Sequence, residues 1–206
     1  MANTLVRRAA TAVGSLLLLA GIVTANRMLP AFEDVTAPIA YRGSAHETVD
    51  AQRFTARVEK VEFAHGISDG DGSGEGEVRT ADPDNRAIWV VVWVTMTATD
   101  ATLSVGDPVL LETGDGYAYA ATDRLSNTMN AFAGRLDPGL PRYGAFAFEV
   151  PRARLVDPTL RVSAREGLDR RLSAEADVHL GLDAARVDRL TEAAADSLTI
   201  APVRYR

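Results

Sequence analysis

Ala87-Ile-Trp-Val-Val-Val-Trp-Val-Thr-Met-Thr-Ala-Thr99 is the stretch on which the fold turns. Side chains alternate across an extended chain, so Ile88, Val90, Val92, Val94 and Met96 share one face, apolar from end to end. The other face opens with Trp89, Val91 and Trp93 and then turns to Thr95, Thr97 and Thr99. β-Branched and aromatic residues suit a pleated, packed surface, and apolar character on both faces predicts a central strand. One face belongs to the core, and one end of the other is covered as well.

Further strands are predicted on both sides of this run. Upstream, Phe54, Ala56 and Val58 alternate with polar partners, but the apolar phase slips to Val61 and Phe63 after Glu59 and Lys60. A one-residue slip would turn the core face outward unless a bulge absorbs it, so a β-bulge is expected near Lys60. Between these strands, Ser68–Asn85 is rich in Gly and acid and reads as a long exposed loop. Downstream come Leu103–Val105, Pro108–Glu112 and a Thr113-Gly114-Asp115-Gly116 turn into Tyr117–Ala121, the pattern of a hairpin. Asp123–Arg135 has no firm period and leaves a short helix or a loop open. Leu136-Asp137-Pro138-Gly139 is a turn, Tyr143–Val150 a strand ending at Pro151, and Thr159–Ser163 another strand.

In the tail, Leu172, Ala174, Ala176, Val178 and Leu180 alternate with Ser173, Glu175, Asp177 and His179, which predicts a half-buried strand. Asp183 is a suitable N-cap for a helix to about Ala195, with Val187, Leu190 and Ala194 on one stripe. Leu198, Ile200 and Val203 suggest a last short strand. Many short strands, frequent turns and little helix predict a mainly β, two-sheet antiparallel sandwich.

Ala9–Asn26 carries no charge, with Arg7 and Arg8 before it and Arg27 after it. As a helix it would reach about 27 Å, close to the ~30 Å of a bilayer's hydrocarbon layer. The flanking arginines predict a cytoplasmic N-terminus and a C-terminal part outside the membrane. A retained anchor and a signal peptide cleaved after Ala25 both fit, the anchor better because apolar character continues through Gly21, Ile22 and Val23. The chain has no Cys, so neither a lipid-modified cysteine nor a disulfide is available. The expected organisation is a stub and anchor over 1–27, a linker over 28–43, a sandwich over 44–166 and a C-terminal strand-helix-strand appendage over 167–206.

Val58–Phe63, the Val90–Thr97 run, the Gly114-Asp115-Gly116-Tyr117 turn, Leu136-Asp137-Pro138-Gly139 and Phe146-Ala147-Phe148-Glu149-Val150-Pro151 carry a resemblance over residues 43–165. In their succession the chain is similar to immunoglobulin-like extracellular domains of unknown function related to the mycobacterial immunoprotective secreted antigen superfamily. That resemblance implies an exported, non-enzymatic sandwich and transfers no catalytic residues.

Composition narrows the function classes. Apolar residues make up 47 % and charged residues 24 %, an ordinary globular balance. The net charge is −6, and Lys60 is the only lysine beside 21 arginines, which argues against nucleic acid as a partner. Asp69, Asp71 and Ser73 stand at positions one, three and five of a calcium-loop spacing, with Gly74 at six. Thr80 takes the place of the bidentate Glu at twelve, so a solvated loop is the first reading and weak calcium binding the second. His46, His65 and His179 lack metal-ligand spacing. No nucleophile elbow or phosphate-cradling motif appears, so neither catalysis nor a cofactor is expected.

Trp89, Val91 and Trp93 are the interface candidates, since tryptophan is favoured at binding hot spots; the alternative is that the tail covers them. The expected function is a non-catalytic, membrane-anchored, extracytoplasmic protein-binding or scaffold subunit. Its expected partners are the lipid bilayer, through residues 9–26, and another membrane or envelope protein. The alternative is a secreted small-ligand or calcium-responsive module.

Overall fold

The computed structural model describes residues 38–70, 77–131, 135–165 and 173–206, together with residues 14–15, 18–21 and 24. Most of the 9–26 segment, the cleavage position Ala25 and linker residues 28–37 lie outside the described residues. Among those described, no helix is long and apolar enough to cross a membrane. Residues 38–206 form one compact unit, and it is mainly β.

Two large sheets face each other. The first has the order β1 (Ile39–Ser44), β12 (Ala174–His179), β11 (Thr159–Arg165), β8 (Leu110–Glu112), β9 (Ala118–Ala120), with β7 (Ser104–Val105) also beside β11. The second has the order β14 (Arg204–Tyr205), β10 (Arg142–Pro151), β6 (Ala87–Ala98), β3 (Phe54–Ala64), β2 (Thr48–Asp50). Between them lies the main core. Ile88, Val90, Val92, Val94 and Met96 of β6, with Phe146, Phe148 and Val150 of β10, meet Leu111, Leu160, Val162, Ala176 and Val178 from the opposite sheet. This is a β-sandwich, built on the alternation that the central strand displays.

The expected bulge is present. Val58 pairs with Val94 and Lys60 with Trp93, so one extra residue, Glu59, is absorbed between them. That insertion lets Val58 and Phe63 both reach the core although their sequence phases differ. The hairpin turn before β9 also forms: Gly116 adopts φ +85°, and the Thr113 amide donates to the Tyr117 carbonyl at 2.8 Å. Only a residue without Cβ enters that conformation at little cost. Asp123–Arg135 resolves, among its described residues, into bends and turns rather than a helix.

Helix α1 (Ala184–Glu192) begins where predicted, with the Asp183 carboxylate accepting the Arg186 amide at 2.7 Å. Val187 is buried from its apolar stripe, with Leu190 and Ala194 packed beside the core.

Four expectations are corrected. The sandwich is not wholly antiparallel, because β1 runs parallel to β12. Residues 39–43 are therefore a sheet strand rather than linker; Ile39 to Gly43 pair in register with Ala174 to Val178. The boundary at 166/167 does not follow the sheet either. The tail strand β12 lies inside it between β1 and β11, since its inward Ala174, Ala176 and Val178 complete the core. A third, small sheet takes up residues 68–69 and 79–80 of the expected loop at 68–85 together with a late segment of the chain: β13 (Leu198–Ile200), β4 (Gly66–Asp69) and β5 (Arg79–Thr80), with β13 parallel to β4.

Candidate functional site

Trp89, Val91 and Trp93 do not form an exposed interface. Their exposures are 2 %, 0 % and 6 %, and they make a second core with Ile67, Leu125 and Ile200. Small residues make room for the indoles: Ala145 of β10 stands opposite Trp93, and Ala147 opposite Val91. The third sheet and Leu125 pack on this cluster, and of the tail only β13 contributes to the cover; helix α1 packs on the main core instead. A buried indole N–H needs an acceptor. The Trp89 ring nitrogen donates to the Arg79 carbonyl at 3.0 Å, and that of Trp93 to Glu62 Oε2 at 2.6 Å.

The calcium candidates fare differently. Asp71 and Ser73 lie outside the described residues. Both Asp69 carboxylate oxygens accept protein hydrogen bonds, Oδ2 from the Ser126 amide (2.8 Å) and hydroxyl (2.9 Å) and Oδ1 from the Asn127 amide (3.0 Å). Asn127 in turn donates to the carbonyls of Gly70 and Ile200. Asp69 thus fastens the 126–127 turn to the third sheet. Among the described residues, no group of three or more His, Asp or Glu side chains is placed to hold a metal.

The outer face of the first sheet is the opposite case, open and charged. On β11, Leu160 and Val162 point inward and Arg161 outward. Sheet register then sets charged residues side by side: Arg42 of β1 stands opposite Asp177, which stands opposite Arg161. In the next row Thr159 stands between His179 and Glu112. Arg161 is the node. Its Nη1 reaches Glu112 Oε2 at 2.9 Å, its Nη2 reaches Glu175 Oε1 at 2.8 Å, and its Nε lies 3.7 Å from Asp177 Oδ1. Burial works against the guanidinium's charge, but its hydrogen bonds to Glu175 and Glu112 and the charges of Glu175 and Asp177 prevail and raise its pKa. Asp177 moves above the usual carboxylate range because burial and the neighbouring Glu175 disfavour its charge more than Arg161 favours it.

Beside this node, His179 Nε2 lies 2.6 Å from Asp157 Oδ1. The turn carrying Asp157 is tied to the β8–β9 hairpin, where the Gly114 amide donates to the Val156 carbonyl at 2.6 Å. The hairpin is held in turn by Asp115, which accepts from the Thr113 hydroxyl and pairs with Arg154 at 2.8 Å. Together these elements enclose an open cleft of about 450 Å³ with Arg42, Glu112, Asp157, Arg161, Asp177 and His179 in its lining. Chemically this is a cleft in which side chains of both signs are held by strand register and ion pairs. The alternating Glu175-Asp177-His179 row was visible in the sequence. Arg161, Glu112, Arg42 and Asp157 were not, since only strand register brings them to it.

No family model matches the chain, and neither does any curated protein. Two solved structures are similar. One is an uncharacterized beta-sandwich protein from Clostridium difficile 630, at 11 % identity and TM-score 0.42, over 69 % of this chain and 95 % of that one. The other is a conserved hypothetical protein from Bacillus anthracis, at 11 % identity and TM-score 0.43, over 66 % and 94 %.

Proposed function

We propose that the protein is a non-catalytic, membrane-anchored, extracytoplasmic binding subunit that engages a protein partner through the outer face of its first sheet. The observation that carries this reading is the contrast between that face, bearing the Arg161 cleft, and the Trp89–Trp93 part of the second sheet's outer face, which the chain packs over itself. Strand order supports an immunoglobulin-like arrangement. The path β12-β11-β8-β9 corresponds to strands G, F, C and C′ of a variable-type domain, and β3-β6-β10 to A, B and E. The uncharged Ala9–Asn26 run supports tethering, and confinement on one membrane lets a modest polar surface suffice, because it raises effective concentration.

Arg42 is solvent-exposed, so Arg42→Glu reverses a charge on the cleft without touching the core. Full-length protein is used as bait in detergent-solubilised membranes. A stoichiometric membrane protein recovered by the wild type and lost with Arg42→Glu, at unchanged circular dichroism, is the expected result. Equal recovery with both baits, or no enriched protein, refutes the reading.

A further inference from the structure

A second cleft lies at the far end of the second sheet's outer face, away from the Arg161 node. Its volume is about 310 Å³, and Glu59, Lys60, Tyr143, Arg204 and Arg206 line it. The β3 bulge builds one wall. Lys60 stands opposite Trp93 on the outer face, and Glu59 reaches the same face to accept the Thr95 hydroxyl at 2.7 Å, so two consecutive residues point the same way. Re-aiming a side chain in this manner is a recurrent use of bulges at sites. Strand β14 builds the other wall. Arg204 pairs with Tyr143 in antiparallel register, and the Arg206 amide donates to the Pro141 carbonyl at 3.0 Å. Arg204 of β14 and Arg206, just past that strand's end, therefore share the face of Tyr143. The floor is rigid: Tyr143 stacks on Trp93 with ring centroids 5.5 Å apart and planes 13° apart. Both guanidinium groups lie over the Tyr143 ring, at 5.4 and 5.5 Å, and the Lys60 ammonium is 4.9 Å from the Trp93 ring.

Charge at this cleft is unbalanced. Glu59 pairs with Arg206 and more distantly with Arg57, and Glu62 pairs with Lys60 at 2.8 Å while holding the Trp93 indole. Four cations, Arg57, Lys60, Arg204 and Arg206, thus meet two carboxylates, and Arg204 has no carboxylate partner among the described residues. In a chain of net charge −6, this is a local reversal of sign, fixed by backbone pairing and set over an aromatic floor. Guanidinium and ammonium groups together suit a phosphoryl-type oxyanion, which accepts several charge-assisted hydrogen bonds at once.

We propose that Lys60, Arg204 and Arg206, above the Tyr143–Trp93 stack, form a binding site for a phosphoryl group, whether on a soluble phosphate compound or an anionic lipid headgroup. Lys60 is the only lysine, so its acylation, followed by peptide mass spectrometry, reports on this cleft alone. Full-length protein in neutral detergent is treated with an amine-acylating reagent, with inorganic pyrophosphate or with chloride at matched ionic strength. Pyrophosphate at a few times its dissociation constant is expected to slow Lys60 acylation about fivefold and to change tryptophan fluorescence. Arg204→Gln with Arg206→Gln is expected to abolish both effects. Because these side chains are exposed, circular dichroism should stay unchanged. A second arm compares vesicles of phosphatidylcholine alone with vesicles also holding phosphatidylglycerol. Protection by pyrophosphate identifies a soluble phosphate ligand, and protection only by the anionic vesicles identifies a headgroup. Protection by neither, protection equal to that of chloride, or protection that survives the double substitution overturns the proposal.

Discussion

The outer faces of the two large sheets have opposite fates, and their strands explain why. Along β12, Ala174, Ala176 and Val178 turn inward while Glu175, Asp177 and His179 turn outward, so the outer surface is polar; Glu175 is buried against Arg161, and Asp177 and His179 are half-buried with no further layer of sheet over them among the described residues. Along β6, Trp89, Val91 and Trp93 make the outward face as apolar as the inward one, and a third sheet is laid over it. The energies differ accordingly. Burying one such side chain contributes about 1.5–3 kcal/mol, whereas a solvent-exposed ion pair contributes about 0–1 kcal/mol. Covered faces therefore carry stability here, and the open face is available for recognition.

The most severe way to break this contrast is Trp89→Ala. It leaves a cavity beneath the third sheet and removes the bond to the Arg79 carbonyl, for an expected loss of about 3–5 kcal/mol in denaturant unfolding. On the open face, Arg161→Ala strips partners from Glu112 and from Glu175, whose side chain is only 11 % exposed, and should cost about 1–3 kcal/mol. If the two losses come out equal, the faces are not energetically distinct.

Smaller again is Asp69→Ala, which unfastens the 126–127 turn from the third sheet at about 1 kcal/mol. Hydrogen exchange is the sharper probe for it, and faster exchange is expected at Ser126 and Asn127 but not in β11 or β12. The subtlest test concerns pH. The Asp177 pKa is raised on folding, chiefly by burial, so the folded chain holds more protons and stability falls as pH rises above the ordinary value of 3.8. Asp177→Asn removes that loss. Thermal melts should show the variant gaining on wild type as pH rises above about 4; a constant difference contradicts the assignment.

Local chemistry was legible wherever one segment contained its own cause. The β6 alternation, the slip at Lys60, the Asp-Gly turn before Tyr117 and the Asp183 cap each depend on neighbours a few residues away, and each is seen. Expectations departed from the structure where distant partners decide. Nothing near Ile39 signals that it will pair with Ala174, and nothing near Trp89 names Ile200 as its cover. The same holds for both clefts. Residues 42, 112, 161 and 177 meet only through register, and Arg204 reaches Tyr143 only because β14 adds to the edge of β10.

The parallel pairing of β13 with β4 has a temporal consequence. Synthesis runs from the N-terminus, and roughly 100 residues separate Trp93 from Leu198; at about 5–20 residues per second they take on the order of 5–20 s to appear. During that interval a Val- and Trp-rich strand lacks the part of its cover that β13 supplies, which makes the nascent chain prone to self-association until residues 198–200 arrive. A chain ending before residue 198 would keep that hazard for good, and should accumulate as aggregate even though every strand of the main core has been made.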